Sequence, residues 1–249
     1  MTISHGLLLA LAGLAAGITN AVAGGGSLLS FPALVAVGYS AVAANGTNTV
    51  ALCPGYLSGV LAYRRELREQ RARVRALVGP AAAGAVGGTV LLLQAPPGVF
   101  KAVVPFLVLG AVGLLAVQSR LATWIQRRRD GSEGHGPLRT VVFLGAVYGA
   151  YFGGALGVIF VAVLGLFLTA GAQEINGLKN ALSFTINVVA MVGFAAFGPV
   201  QWGAVAIVGT ASLAGGAIGG RLARRLSPIM LRRAVMVYGV LAGVRLLIG

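Results

Sequence analysis

The chain is short of nearly every residue on which soluble chemistry rests. Of 249 residues, five are acidic, two are histidine and one is cysteine. Cys53 alone can make neither an internal disulfide nor a cysteine metal cluster, and with no histidine near it in sequence it reads as a small apolar helix residue. His5 and His135 stand far apart, so no metal site and no cofactor are expected. Neither paired carboxylates nor a Ser-His-Asp set can be assembled from so few acids, which leaves an enzyme without a basis. A phosphate-cradling Gly-x-x-x-x-Gly-Lys-Ser/Thr run is missing as well, so ATP-driven pumping by this chain has no support.

What the chain has instead is apolar surface. Hydrophobic residues make up 57% of it and charged residues only 10%, with a mean hydropathy of +0.90. A soluble domain of this size has too little polar surface to cover such a composition, so lipid is the expected solvent. The net charge of +14 would suggest nucleic acid in a soluble protein, but its placement argues otherwise. Sixteen of the seventeen arginines fall in three stretches, 64–75, 120–139 and 221–233. That is the pattern of cytoplasmic loops facing anionic lipid headgroups, and no nucleic-acid partner is expected.

Eight apolar stretches follow one another: His5–Val37, Thr47–Tyr63, Ala76–Leu93, Val99–Gln118, Thr140–Leu168, Leu178–Phe197, Gln201–Gly219 and Ile229–Ile248. Six have the length of one membrane crossing. The first and fifth are too long, and each is interrupted by glycine, at Ala23-Gly24-Gly25-Gly26-Ser27 and at Gly153-Gly154-Ala155-Leu156-Gly157. The first stretch is read as part of the fold and not as a cleaved leader, because no basic residue precedes it and more apolar sequence follows.

A shift of 131 residues aligns Gly26 with Gly157, Asn45-Gly46 with Asn176-Gly177, Gly84 with Gly215, Gly88 with Gly219 and Lys101 with Arg232. The chain is therefore read as a first membrane repeat (1–118), a basic cytoplasmic linker (119–139) and a second membrane repeat (140–249). If all eight stretches crossed, the third arginine stretch would face outside. With the two broken segments re-entrant, three crossings remain per half, the halves are inverted, and all three arginine stretches face the cytoplasm. The expected fold is thus an all-α integral membrane protein of two inverted repeats, each with a glycine-broken re-entrant segment plus three transmembrane helices. A fully crossing but unwound helix is the alternative at each break.

Two corresponding breaks point to a transport site at the repeat interface. Half-helices beginning near Ser27 and Val158 would aim N–H groups at an anion, with Gly24, Gly25, Gly26, Gly154 and Gly157 letting backbone approach it. Gly84, Gly88, Gly215 and Gly219 are read as helix-packing residues. After each break a polar run enters the next helix. Asn176, Asn180 and Ser183 share one face, with Asn187 a turn beyond, and Asn45, Asn48 and Thr49 form a matching face in the first half, from the polar run Asn45-Gly46-Thr47-Asn48-Thr49. Asn45 and Asn176 also suit helix caps. Lys179, one of two lysines, stands apart from the arginine stretches at the repeat position of Asn48; it either balances an anionic substrate, snorkels, or pairs with Glu174. Glu174 is the sole acid outside the arginine stretches, so coupling to protons or to sodium stays open.

The run Ala-Gly-Gly-Gly-Ser-Leu-Leu-Ser-Phe-Pro-Ala-Leu (23–34), followed by Gly38 and by Ala-Ala-Asn-Gly-Thr-Asn (43–48), resembles the signature of the TauE/SafE sulfite exporter-like family. The second half repeats it as Gly-Gly-Ala-Leu-Gly-Val-Ile-Phe (153–160) and Asn-Gly-Leu-Lys-Asn (176–180). The resemblance implies transport of sulfite, sulfonates, thiosulfate or related small anions across a prokaryotic plasma membrane. It points to Gly24, Gly25, Gly26, Thr47 and Asn48, and to Gly154, Gly157, Lys179 and Asn180. The second cluster departs from the first, with Ala155 and Leu156 at the repeat positions of Gly24 and Gly25. The expected function is a secondary transporter of such anions by alternating access, with anionic lipids at the basic loops. An anion channel or a non-transporting scaffold is the alternative.

Overall fold

The computed structural model describes residues 2–22, 25–96, 98–127, 135–222 and 228–248. Among them the chain forms helices joined by short links. The first half carries α1 (Ile3–Val22), α2 (Ser27–Ala36), α3 (Ala41–Ala62), a short α4 (Arg64–Glu69), α5 (Arg71–Gln94) and α6 (Val99–Arg127). The second carries α7 (His135–Tyr151), α8 (Leu156–Phe167), α9 (Ala172–Phe197), α10 (Trp202–Leu222) and α11 (Pro228–Ile248). Of the expected breaks, Ala23 and Gly24 lie outside the described residues.

Leu91, Phe106, Leu144, Val192, Val237 and Leu241 are each more than half exposed, the outward apolar surface that lipid covers and water does not tolerate. By length and composition five described segments can cross a membrane: Ile3–Asn20, Arg71–Gln94, Val99–Gln118, Ala172–Phe197 and Trp202–Gly219. The six crossings expected from sequence do not coincide with these five. α3 and α11 match them in length, but α3 carries the polar run 45–49 and α11 carries Arg232, Arg233 and Arg245. Conversely, α1 alone is about 30 Å long and could cross by itself, because the glycine break falls late in the first apolar stretch.

At both breaks the chain doubles back. Gly26 packs on Ala16 and Asn20, where a continuous helix would have carried it about 15 Å beyond Ala16. In the second half Gly145 faces Phe160 and Gly149 faces Leu156, so residue numbers fall on one arm as they rise on the other. Each broken segment is therefore a helical hairpin with glycine at its tip. Gly25 (φ 88°) and Gly153 (φ 77°) adopt the left-handed backbone that such a reversal needs. Ala155 adopts it too (φ 54°), and there a Cβ makes it costly, by about 1–2 kcal/mol.

The helices pack in corresponding pairs. α1 lies on α10 as α5 lies on α7, α3 lies on α10 as α9 lies on α5, and α3–α9 and α6–α11 close the set. Close approach in the first two pairs depends on glycine: a Cβ on Gly17 would stand 2.1 Å from the Ser212 carbonyl oxygen, and one on Gly84 2.3 Å from that of Phe143. Across α3–α9, Gly46 touches Phe194 and Tyr63 touches Gly177. Shifting by 131 turns one pair into the other. Across α6–α11, Gly239 touches Val112 and Gly243 touches Val108, and the same shift again exchanges the two. In both cases helices at equivalent places in the two halves run antiparallel.

Candidate functional site

A cavity of about 640 Å³ lies between the two hairpin tips and the antiparallel α3–α9 pair. The tips contribute Gly25 and Ser27 from the first half and Gly153, Leu156 and Gly157 from the second. From α9 come Asn176, Asn180 and Ser183, which helical spacing puts on one face, together with Lys179; Asn187, a turn beyond, is not in the lining. Facing them are Gly55, Tyr56 and Gly59 on α3 and Tyr63 at its C-terminal end. Gln118 of α6 and Arg232 of α11 line it as well, and with Tyr63 these adjoin the arginine stretches, so the cavity lies on the arginine-rich side of the tips.

Lys179 is partly buried, and its stem runs over Gly157, whose added Cβ would meet Lys179 Cδ at 3.6 Å. Among the described residues no carboxylate stands within ion-pair reach of it, and no Asp or Glu lines the cavity. Pairing with Glu174 is not what the structure has. Glu174 Oε2 accepts the Gly171 N–H at 2.6 Å, capping α9, while the Glu174 carbonyl accepts from Gln70 Nε2 at 3.1 Å. Asn180 packs against Gly59, its Cγ 3.3 Å from where a Cβ would lie.

The hairpin tips present fewer N–H groups than two free helix ends would. Leu28 donates to the Gly25 carbonyl and Leu29 and Ser30 to that of Gly26; Leu156 donates to Gly153, and Val158 and Ile159 to Ala155. Among the described residues the N–H groups of Ser27 and Gly157 have no carbonyl partner, and both residues line the cavity. Each tip therefore offers an N–H donor to a ligand, backed by the positive end of a half-helix.

The other candidates sit outside the cavity lining, in protein-to-protein contacts. Asn48, 3% exposed, accepts a hydrogen bond from the Ser30 hydroxyl. Asn45 Nδ2 donates to the Tyr151 carbonyl at 3.1 Å, tying α3 to the second half. Thr47 Oγ1 accepts the Gln201 N–H at 3.0 Å, and Thr49 Oγ1 donates to the Asn45 carbonyl at 2.9 Å. Gly26 N donates to Asn20 Oδ1 at 2.8 Å, and the Gly154 carbonyl accepts from the Tyr148 hydroxyl at 2.7 Å. Neither Asn45 nor Asn176 is a cap; Ser40 caps α3, accepting from the Ala43 N–H. Edge-on ring contacts between Phe31 and Phe152 and between Phe100 and Tyr151 fill the same region. Gly24 lies outside the described residues.

Sequence reasoning passed over Tyr56, Arg232, Gln118 and Asn20, all cavity-lining. Arg232 was absorbed into a cytoplasmic cluster by its neighbours. For Tyr56 a signal existed, since its repeat position is Asn187, an aromatic opposite an amide.

Comparison with known proteins places this geometry. The sequence profile of the sulfite exporter TauE/SafE family matches residues 9–246. A probable membrane transporter protein, ORF9, of a Sinorhizobium species is 27% identical over 234 residues, covering 93% of this chain and 88% of the relative. A probable membrane transporter protein of Haemophilus influenzae is 27% identical over 229 residues, with 90% and 88% covered. The probable membrane transporter protein YfcA of Escherichia coli K12 is 25% identical over 239 residues, with 93% and 86% covered. No solved structure matches. The chain is a multi-pass membrane transporter belonging to the sulfite exporter TauE/SafE family.

Proposed function

We propose that the protein is a secondary transporter of small sulfur-containing or organic anions, of the sulfite, sulfonate or thiosulfate class, working by alternating access between two inverted repeats. The observation that carries this reading is Lys179, held over the tip of the second hairpin in a cavity with no described carboxylate. An oxyanion there meets a cation, the N–H groups of Ser27 and Gly157, and the side chains of Asn176, Asn180 and Ser183, enough donors to replace its hydration shell. The family name supports the sulfur-anion class.

For the topology, each hairpin enters the membrane and returns, and α3, α5 and α6 cross in the first half as α9, α10 and α11 do in the second. Antiparallel α3–α9 and α6–α11 contacts, exchanged by the 131-residue shift, support inversion. All three arginine stretches then face the cytoplasm and its anionic lipids, in the plasma membrane of a prokaryote. The cavity opens to that side. Transport is coupled to protons or to sodium, and Glu174, the one acid outside the arginine stretches, caps α9.

The test is uptake of radiolabelled sulfite into proteoliposomes under imposed proton and sodium gradients, with thiosulfate, a small sulfonate and chloride as competitors. Saturable uptake that the sulfonate blocks and chloride does not is expected. Flux that never saturates makes the protein a channel, and no flux of any sulfur anion removes the substrate class.

A further inference from the structure

Asn45 lies in the first turns of α3, 1% exposed, and its amide is only half satisfied. Nδ2 donates to the Tyr151 carbonyl at 3.1 Å, while the buried Oδ1 has no hydrogen-bond partner among the described residues. A carbonyl can only accept, so the Tyr151 contact fixes which end of the amide is oxygen. An acceptor buried without a donor is costly, and a ligand that brings positive charge removes the cost.

Three more side-chain oxygens belong to the same corner of α2 and α3. Helical spacing puts Asn48 and Thr49 on the face of α3 that carries Asn45. Asn48 Oδ1 accepts the Ser30 hydroxyl of α2, and Thr49 Oγ1 spends its own proton on the Asn45 carbonyl at 2.9 Å. Ser30 has a second acceptor in the Gly26 carbonyl at 3.4 Å, so its proton can turn away and leave both Ser30 Oγ and Asn48 Oδ1 as acceptors. Tyr151 is the last residue of α7, and the negative end of that helix adds to the same field.

Under the 131-residue shift the image of Asn48 is Lys179, whose charged side chain lines the cavity. Where the second half carries a tethered ammonium, the first half carries amide and hydroxyl oxygens, one of them an unpaired acceptor. We propose that a small monovalent cation, sodium, binds among Asn45 Oδ1, Asn48 Oδ1, Ser30 Oγ and Thr49 Oγ1 as the exchangeable counterpart of the Lys179 charge. None of these side chains titrates near neutral pH, so the corner does not serve a proton. None is a carboxylate, so a divalent ion would go unneutralised, whereas hard, neutral oxygens suit a singly charged one. The coupling role of the ion rests on the transporter reading above; its binding does not. Sodium held there ties the first hairpin to α3 and to the end of α7, contacts between the halves that alternating access must break and remake.

The first test needs no anion. Purified full-length protein in detergent and choline chloride is assayed for binding of radiolabelled sodium, and for its thermal midpoint as sodium chloride replaces choline chloride. Saturable binding that unlabelled sodium displaces and potassium does not is expected, with a midpoint that rises with the logarithm of sodium concentration. Ser30→Ala, which removes one oxygen and almost no bulk, should weaken sodium binding about tenfold or more. Asn48→Lys, which supplies the tethered charge of its image, should abolish it. No saturable binding to the unaltered protein, displacement by potassium as readily as by sodium, or full sodium affinity in Ser30→Ala overturns the site, even if Asn48→Lys fails to fold. Proteoliposomes then separate the ion from the anion: labelled-sulfite uptake is expected to respond to an imposed sodium gradient. Uptake indifferent to sodium sinks the coupling and leaves the anion carrier standing, whereas sodium binding without uptake of any sulfur anion leaves the ion site and removes the substrate class.

Discussion

The two polar faces that follow the two hairpins descend from the same repeat position, yet they live in opposite environments. On α9, Asn176, Lys179, Asn180 and Ser183 look into open space beside the arginine-rich end. On α3, Asn45, Thr47 and Asn48 are at most 3% exposed, hydrogen-bonded to Tyr151, Gln201 and Ser30. Equivalent residues therefore do not perform equivalent work in a single state of a duplicated transporter. One face lines the cavity while the other is packed inside the protein. Under the alternating access proposed above, the difference is one of state, written on two nearly equivalent pieces of chain.

The largest expected effect removes the cation that only one face has. Lys179→Gln keeps the stem over Gly157 and deletes the charge, and a charged hydrogen bond is worth about 1.5–3 kcal/mol, so apparent anion affinity in proteoliposome uptake should fall roughly 10- to 100-fold. Unchanged affinity would mean that Lys179 serves only the membrane interface. The next effect falls on stability. Gly26 and Gly157 are repeat images, but a Cβ at Gly26 would lie 2.3 Å from the Ala16 carbonyl oxygen, whereas one at Gly157 meets only the flexible Lys179 stem at 3.6 Å. Gly26→Ala should destabilise the detergent-solubilised protein by about 1–3 kcal/mol in thermal unfolding, and Gly157→Ala by far less. What Gly157→Ala should change is transport, a several-fold rise in KM as the tip loses close approach. Equal stability losses at both positions would erase the contrast between the two tips.

How much of this was legible beforehand depends on the kind of signal. Glycine punctuation located both hairpins, because backbone reversal needs left-handed residues and the apolar stretches around them were too long for one crossing. Helical spacing placed Asn176, Asn180 and Ser183 on one face with Asn187 a turn beyond; the first three line the cavity with Lys179, and Asn187 does not. Spacing could not tell which of two homologous faces lines a cavity, since that is settled by how the halves pack; hence Asn45, Thr47, Asn48 and Thr49 were singled out with their images but are hydrogen-bonded within the protein. Tyr56 and Arg232 reach the cavity from elements whose patterns had other readings, an apolar run and a basic cluster. Spacing offered Glu174 only as a partner for Lys179, and a cap on α9 is what formed instead.

The smallest effect concerns the one place where the second hairpin departs from the first in its chemistry of reversal. Ala155 holds a left-handed backbone at φ 54°, ψ 19°, 1% exposed, at the repeat position of Gly24. The strained conformation costs about 1–2 kcal/mol, and glycine would remove it at an entropic cost of about 0.5–1 kcal/mol. Ala155→Gly should therefore stabilise the protein slightly, by about 0.5–1 kcal/mol, read as a small rise in the thermal midpoint in detergent. Its side chain is a single methyl, so little packing is lost. A fall in the midpoint would show that this methyl is held by its neighbours more tightly than the backbone resists it, and that the second hairpin is the stiffer of the two by design of its tip. A rise would make the tips interchangeable in backbone chemistry and leave the open and sealed faces as the main difference between the halves.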